Sequence, residues 1–64
     1  MSEAPTRVWI VDDHAGFRRD LARVLEKRGF RCEKSLSSAR GLFAELAEGP
    51  LPDLVLLDLR MPQV

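Results

Sequence analysis

The stretch Val8-Trp9-Ile10-Val11-Asp12-Asp13 decides the fold, together with its counterpart Leu54-Val55-Leu56-Leu57-Asp58 near the other end of the 64-residue chain. Each is a short, uninterrupted apolar run that is followed by aspartate. Such runs are typical of central parallel strands that helices bury on both faces. Because ligand chemistry in open α/β sheets gathers just outside the carboxyl ends of parallel strands, we expect Asp12, Asp13 and Asp58 to point into one crevice.

The region between these runs predicts a helix, a strand and a second helix. The first helix covers Ala15 to Arg28 and ends at Gly29, and its apolar residues recur at helical spacing: Phe17, Leu21, Val24 and Leu25. The second strand has a period-two pattern that favours an outermost position, with Phe30, Cys32 and Lys34 alternating with Arg31 and Glu33. The second helix runs to about Glu48, with Ser35, Ser37 and Ser38 as candidate caps and Leu42, Phe43 and Leu46 as its apolar residues.

Strand, helix, strand, helix, strand joined by right-handed crossovers predicts an α/β fold with a parallel sheet in the order 2-1-3. The third strand covers Asp53 to Asp58. This arrangement is the first half of a flavodoxin-like fold. We expect residues 1–6 to form a loose leader and residues 7–64 to form the domain.

Composition excludes several classes of protein. Ten Lys and Arg balance ten Asp and Glu, so net charge gives no reason to expect nucleic acid or an anionic membrane as a partner. The basic residues of the first helix are best explained as a solvated face: Arg18, Arg19, Arg23, Lys27 and Arg28. No apolar run approaches the ~18 residues of a membrane span. Cys32 is the only cysteine, which excludes an internal disulfide and fits a cytoplasmic protein.

Three carboxylates at one edge of a sheet need a cation. Two like charges ~4 Å apart repel by about 4 kcal/mol at an effective dielectric of 20, and a bound divalent ion reverses that sign. An all-oxygen acidic site suits Mg²⁺ or Mn²⁺. His14 beside the acidic pair is interpreted as polar surface at the start of a helix, because Mg²⁺ prefers oxygen ligands.

The two acid-terminated runs, extended to Val8–His14 and Pro52–Pro62, resemble the N-terminal half of a receiver domain from a bacterial two-component response regulator of the CheY-like family. The resemblance implies that Asp58 accepts a phosphoryl group from a sensor histidine kinase. It also implies that Asp13 and Asp58 ligate Mg²⁺ through carboxylate oxygens, that Arg60 contributes its backbone carbonyl, and that Asp12 acts through water or hydrogen bonds.

Departures from the family pattern carry further expectations. Receivers have a Ser or Thr after strand four and a Lys after strand five, and neither has a counterpart before Val64. We therefore expect a partial receiver, impaired in phosphotransfer, that assists its own phosphorylation rather than acting as a turnover enzyme. We also expect self-association through strand three or the helix-one face. DNA would be contacted only through an output domain outside this chain.

Three alternatives belong to other classes. A non-catalytic interaction fragment would pair through the edge of strand three. A phosphohydrolase of the haloacid dehalogenase type would resemble this chain in its strand-end Asp, but it typically has a second Asp two residues later, where Arg60 stands. A Rossmann nucleotide site is disfavoured because the turn after the first strand, residues 12–16, has one Gly and two acids where a pyrophosphate needs Gly-rich backbone donors.

Overall fold

The computed structural model describes residues 4–58, which form one parallel sheet with two helices. The elements are β1 (Arg7–Val11), α1 (Ala15–Lys27), β2 (Arg31–Leu36), α2 (Ala39–Glu48) and β3 (Leu54–Leu57). The strand order is β2-β1-β3, and both pairings are parallel. The predicted fold class and strand order are therefore confirmed. Within residues 4–58, neither helix has the length and apolar character that crossing a membrane requires.

The central strand β1 forms the core. Val8, Trp9, Ile10 and Val11 are each at most 1% exposed, as expected for a strand buried on both faces. On the α2 side, Trp9 and Val11 pack with Leu42. Three partly buried apolar residues complete that cluster: Leu36, Leu46 and Val55.

The other side of the sheet is covered less completely. None of the residues of α1 is fully buried. Leu21 and Leu25 are half-buried, but Phe17 is 53% exposed and Val24 is 49% exposed. The predicted apolar stripe of α1 is therefore present but packs only in part, and within residues 4–58 nothing covers the rest of it.

Strand β2 lies at the edge of the sheet, as predicted, but its alternation is interrupted. The register between β1 and β2 shifts after Val8, which pairs with Cys32, so that Trp9 pairs with Lys34. Cys32 consequently faces α1, where its Sγ lies 3.9 Å from the Ala22 carbonyl oxygen, whereas Lys34 lies on the α2 side over the Trp9 ring. The expectation that one period-two pattern places Cys32 and Lys34 on a common face is wrong, because an extra residue at a β-bulge exchanges the two faces.

The helix ends follow ordinary capping chemistry. The Ser38 hydroxyl accepts a hydrogen bond from the Gly41 amide at 3.1 Å and caps α2. Gly29 and Gly49, with φ of 94° and 70°, stop the two helices in a backbone region that favours glycine. The N-cap of α1 is His14, and its side chain makes no capping bond.

Candidate functional site

The acids predicted as a site lie at the carboxyl ends of β1 and β3. Asp12 and Asp13 follow β1, and Asp58 follows β3. The Asp58 amide donates to the Val11 carbonyl at 3.0 Å, and the Asp12 amide donates to the Leu36 carbonyl at 3.0 Å. The parallel ladders thus continue one residue beyond the strands and hold the backbones of Asp12 and Asp58 next to each other across the sheet edge.

Asp12 is a buried carboxylate, with only 3% of the residue exposed. Its Oδ1 accepts a hydrogen bond from the His14 amide at 2.8 Å, at the start of α1. A buried carboxylate is costly unless it is hydrogen-bonded, and a helix N-terminus favours negative charge. The Asp12 carboxylate is therefore satisfied by the amide of the N-cap residue, a local contact between residues i and i+2 that fixes the entry of the chain into α1.

Asp13 and His14 are more open to solvent. Their side chains are 46% and 82% exposed, and Nδ1 of His14 lies 3.6 Å from Oδ1 of Asp13. Each of Asp12, Asp13 and His14 offers a ligand atom, and these atoms all lie within 4.8 Å of one another. The two carboxylates supply the oxygens that Mg²⁺ and Mn²⁺ prefer, and Mg²⁺ usually keeps several waters, so the donor set fits a partly hydrated ion.

A cleft of about 310 Å³ opens beside this group. Asp12 and Asp58 both line it, and its other walls are formed by apolar residues of β1, α1 and β3: Ile10, Val11, Phe17, Leu21, Leu56 and Leu57. A carboxylate at such a boundary has water on one side and hydrocarbon on the other.

The predicted site residues are thus distributed over two adjoining features. Asp12 and Asp13 are brought together with His14, and Asp58 lies on the wall of the cleft that Asp12 also lines. Arg60, whose backbone carbonyl was expected to contribute, lies outside the described residues.

Sequence reasoning missed Arg18. Its Nη1 donates to the Asp12 backbone carbonyl at 2.5 Å, and its Nε donates to Ser35 Oγ at 2.7 Å. The assignment of Arg18 to a solvated face is therefore wrong, and Ser35, expected as a possible helix cap, is a residue of β2. The partners of Arg18 lie 6 and 17 positions away in the sequence, so spacing within α1 did not reveal these contacts.

Cys32 lies away from the acids. Burial raises the pKa of the Cys32 thiol above its ordinary value, and the nearby Glu26 carboxylate raises this pKa further. A raised pKa leaves less of the reactive thiolate at neutral pH. Cys32 is therefore better explained as a small packing residue than as a reactive thiol.

Comparison with known proteins identifies the family. The family model of the response regulator receiver domain matches residues 8–64. The chain is 39% identical over 59 residues to the transcriptional regulatory protein PdtaR of Mycobacterium tuberculosis, a match that covers 92% of this chain and 28% of that protein. It is 38% identical over 63 residues to the regulatory protein AtoC of Escherichia coli K12, covering 95% of this chain and 13% of that protein.

The chain thus spans less than a third of the length of either relative. No solved structure gives a significant match. The match over residues 8–64 includes both acid-terminated runs, the parallel sheet and the cleft between them. The chain therefore belongs to the response regulator receiver domain family.

Proposed function

We propose that Asp58 accepts a phosphoryl group from the phosphohistidine of a sensor histidine kinase, with Mg²⁺ or Mn²⁺ as cofactor. The observation that carries the proposal is the pairing of the strand ends. The hydrogen bond from the Asp58 amide to the Val11 carbonyl sets the end of β3 beside the acids that follow β1. The cleft lined by both Asp12 and Asp58 supports the proposal that the phosphoryl group binds there.

The transfer is a displacement at phosphorus. A carboxylate oxygen of Asp58 forms the new O–P bond, the P–N bond of the phosphohistidine breaks, and its electron pair returns to the imidazole. An acyl phosphate suits a timed signal because it forms reversibly and hydrolyses readily. When bound, the divalent cation supplies positive charge that offsets the charge of the phosphoryl oxygens.

The cation would be held by Asp13 and Asp58 through carboxylate oxygens and by the Arg60 backbone carbonyl. The exposure of Asp13 supports a direct contact. Asp12 is buried and already accepts the His14 amide, which supports an indirect role through water. His14 adds a nearby nitrogen that would matter more for Mn²⁺ than for Mg²⁺.

The wider role of the protein is inferred from its relatives. PdtaR and AtoC are named as regulatory proteins, and we infer that this receiver belongs to a cytoplasmic transcription regulator. Contact with DNA would belong to an output domain outside this chain. The receiver would assist its own phosphorylation rather than act as a turnover enzyme.

Asp13→Asn tests the cation site. We expect it to weaken Mg²⁺ binding by about tenfold or more, since even outer partners of metal ligands are typically worth 10–100-fold in affinity. Titration calorimetry measures the affinity. Asp20→Asn, an exposed acid in α1, is the control and should leave it unchanged. Equal affinity in Asp13→Asn and the unaltered protein would contradict the assignment of Asp13.

A second candidate function is that of a non-catalytic interaction fragment, in which the chain pairs with a second copy of itself. Strand β3 pairs only with β1 within residues 4–58, so its other edge presents unpaired backbone groups. Leu54 and Leu57 on this strand are 41% and 43% exposed, and Phe17 on α1 is 53% exposed. An open strand edge beside apolar surface favours pairing with a second chain. Antiparallel pairing of two β3 edges across a two-fold axis would give one continuous six-stranded sheet.

Leu54→Lys tests this second function, because a lysine on an edge strand opposes pairing between chains. We expect the dimer to dissociate at concentrations where the unaltered chain is associated, and the midpoint of unfolding to lose its dependence on concentration. Light scattering follows the first effect. Leu51→Lys, in the loop before β3 and 58% exposed, is the matched control. A monomer at all concentrations of the unaltered chain would count against self-association.

A further inference from the structure

Asp12 is held by hydrogen bonds at its amide, its side chain and its carbonyl, and the carbonyl belongs to the peptide unit that joins Asp12 to Asp13. The Asp12 amide donates to the Leu36 carbonyl, and the Asp12 side chain accepts the His14 amide. The Asp12 carbonyl accepts from Arg18 Nη1 at 2.5 Å. The last contact is the only one of the three made by a side chain that is not itself part of the acidic group.

Arg18 reaches this carbonyl from a fixed position. Its own amide donates to the His14 carbonyl within the first turn of α1, and its Nε donates to Ser35 Oγ on β2. The guanidinium is planar and its donors have a fixed spacing, so two acceptors on different elements hold it in one orientation. Arg18 therefore ties α1, the end of β1 and the edge strand β2 together at one point.

The orientation of this peptide matters for Asp13. The Asp12 carbonyl and the Asp13 amide belong to one planar unit, so fixing the carbonyl also restricts the direction in which the Asp13 side chain leaves the backbone. We propose that Arg18 is a positioning residue for the cation site, and that it acts by presenting the Asp13 carboxylate in the geometry that a divalent ion needs. The proposal rests on the cation site put forward above.

The charge of Arg18 and its positioning role predict opposite changes in Mg²⁺ affinity. A fixed positive charge near a cation site opposes cation binding, so neutralising it should tighten Mg²⁺ binding if Coulomb repulsion acts alone. A positioning role predicts the opposite. Loss of an outer partner that orients a ligand typically weakens metal binding by about tenfold or more. The direction of the change therefore separates the two effects.

Four variants resolve the contributions. Arg18→Gln removes both the charge and the planar guanidinium. Arg18→Lys keeps the charge but cannot reproduce the planar pair of donors. Ser35→Ala removes one acceptor from an exposed residue without altering any charge. Arg19→Gln removes the same charge from the next residue of α1, which is exposed, and serves as the matched control.

Two readouts are needed on the purified protein. Titration calorimetry gives the Mg²⁺ affinity, and ¹⁵N relaxation without metal gives the order parameters of the Asp13 and His14 amides. We expect Arg18→Gln and Arg18→Lys to weaken Mg²⁺ binding by about tenfold, Ser35→Ala to weaken it by about threefold, and Arg19→Gln to leave it unchanged. The amide order parameters should fall in the first three variants only.

Unchanged order parameters in Arg18→Gln would overturn the proposal, and so would Mg²⁺ binding that stays equal or becomes tighter. If the unaltered protein binds no Mg²⁺, the proposed cation site fails and the positioning role fails with it. In that case the relaxation data still decide whether Arg18 orders the loop. Circular dichroism of each variant excludes unfolding as the cause of a loss.

Discussion

Asp58→Asn is expected to abolish phosphorylation by acetyl phosphate in the presence of Mg²⁺, and the unaltered protein, expected to be impaired in phosphotransfer, should itself be labelled only weakly. The amide oxygen is a poor nucleophile, and no acyl phosphate can form on it. The phosphoryl mass increment in the intact protein measures the effect. This is the largest effect that the proposed function predicts, because it removes the bond-forming atom itself.

The neighbouring acids give the controls for this experiment. Asp20→Asn, on the exposed surface of α1, should be phosphorylated like the unaltered protein. Asp13→Asn should be phosphorylated slowly but at the same residue, because it weakens the cation site and leaves Asp58 intact. Undiminished labelling of Asp58→Asn would show that another residue is the acceptor. Loss of the phosphoryl group in alkali distinguishes an acyl phosphate from a phosphoramidate on His14, which is stable in alkali.

The strand ends show what could be predicted from the sequence. Two apolar runs that end in aspartate were enough to predict β1, β3 and their parallel pairing. They also predicted that Asp12, Asp13 and Asp58 follow the carboxyl ends of these strands. These features depend on local pattern and on general rules for parallel sheets. The helix ends at Gly29 and Gly49 follow from local chemistry in the same way.

The features that were not predicted depend on contacts between distant residues. The bulge that separates Cys32 from Lys34 depends on how β2 fits against β1, and alternation within one strand does not report it. The contact between Arg18 and Ser35 joins residues 17 positions apart. A basic residue in an amphipathic helix is usually solvated, so its identity alone could not reveal this bridge.

The incomplete packing of α1 could not be predicted either, because it also depends on residues distant in the sequence. Phe17 and Val24 have the spacing of a buried stripe, and periodicity cannot tell whether the chain supplies a surface for them. In residues 4–58 the sheet covers Leu21 and Leu25 better than it covers Phe17. The core accordingly depends on β1, and above all on its largest residue.

Trp9→Ala is expected to unfold the chain under conditions in which the unaltered protein is folded. Trp9 is 1% exposed and belongs to the cluster with Val11 and Leu42. Removal of a buried Trp typically costs about 3–5 kcal/mol, and a core of this size rarely contributes more than roughly 3–5 kcal/mol in total. The loss also removes the ring beneath the Lys34 ammonium, which lies 5.1 Å from its centroid.

Trp9→Phe separates the packing of this ring from its polar atom. The indole Nε1 is buried and has no hydrogen-bond partner among the described residues. An unsatisfied buried donor costs about 1–3 kcal/mol, so its removal offsets part of the packing lost with the smaller ring. We therefore expect Trp9→Phe to remain folded with a free energy of unfolding much closer to that of the unaltered protein than to that of Trp9→Ala.

Urea unfolding followed by far-ultraviolet circular dichroism measures both changes, since the fluorescence of the only Trp is lost in each variant. Phe43→Ala provides the control, because Phe43 is 67% exposed on α2 and its removal should change the free energy of unfolding little. An equal loss of stability in Trp9→Phe and Trp9→Ala would contradict this account. It would mean that the indole N–H is satisfied in solution, and that the core depends on this hydrogen bond as much as on the volume of the ring.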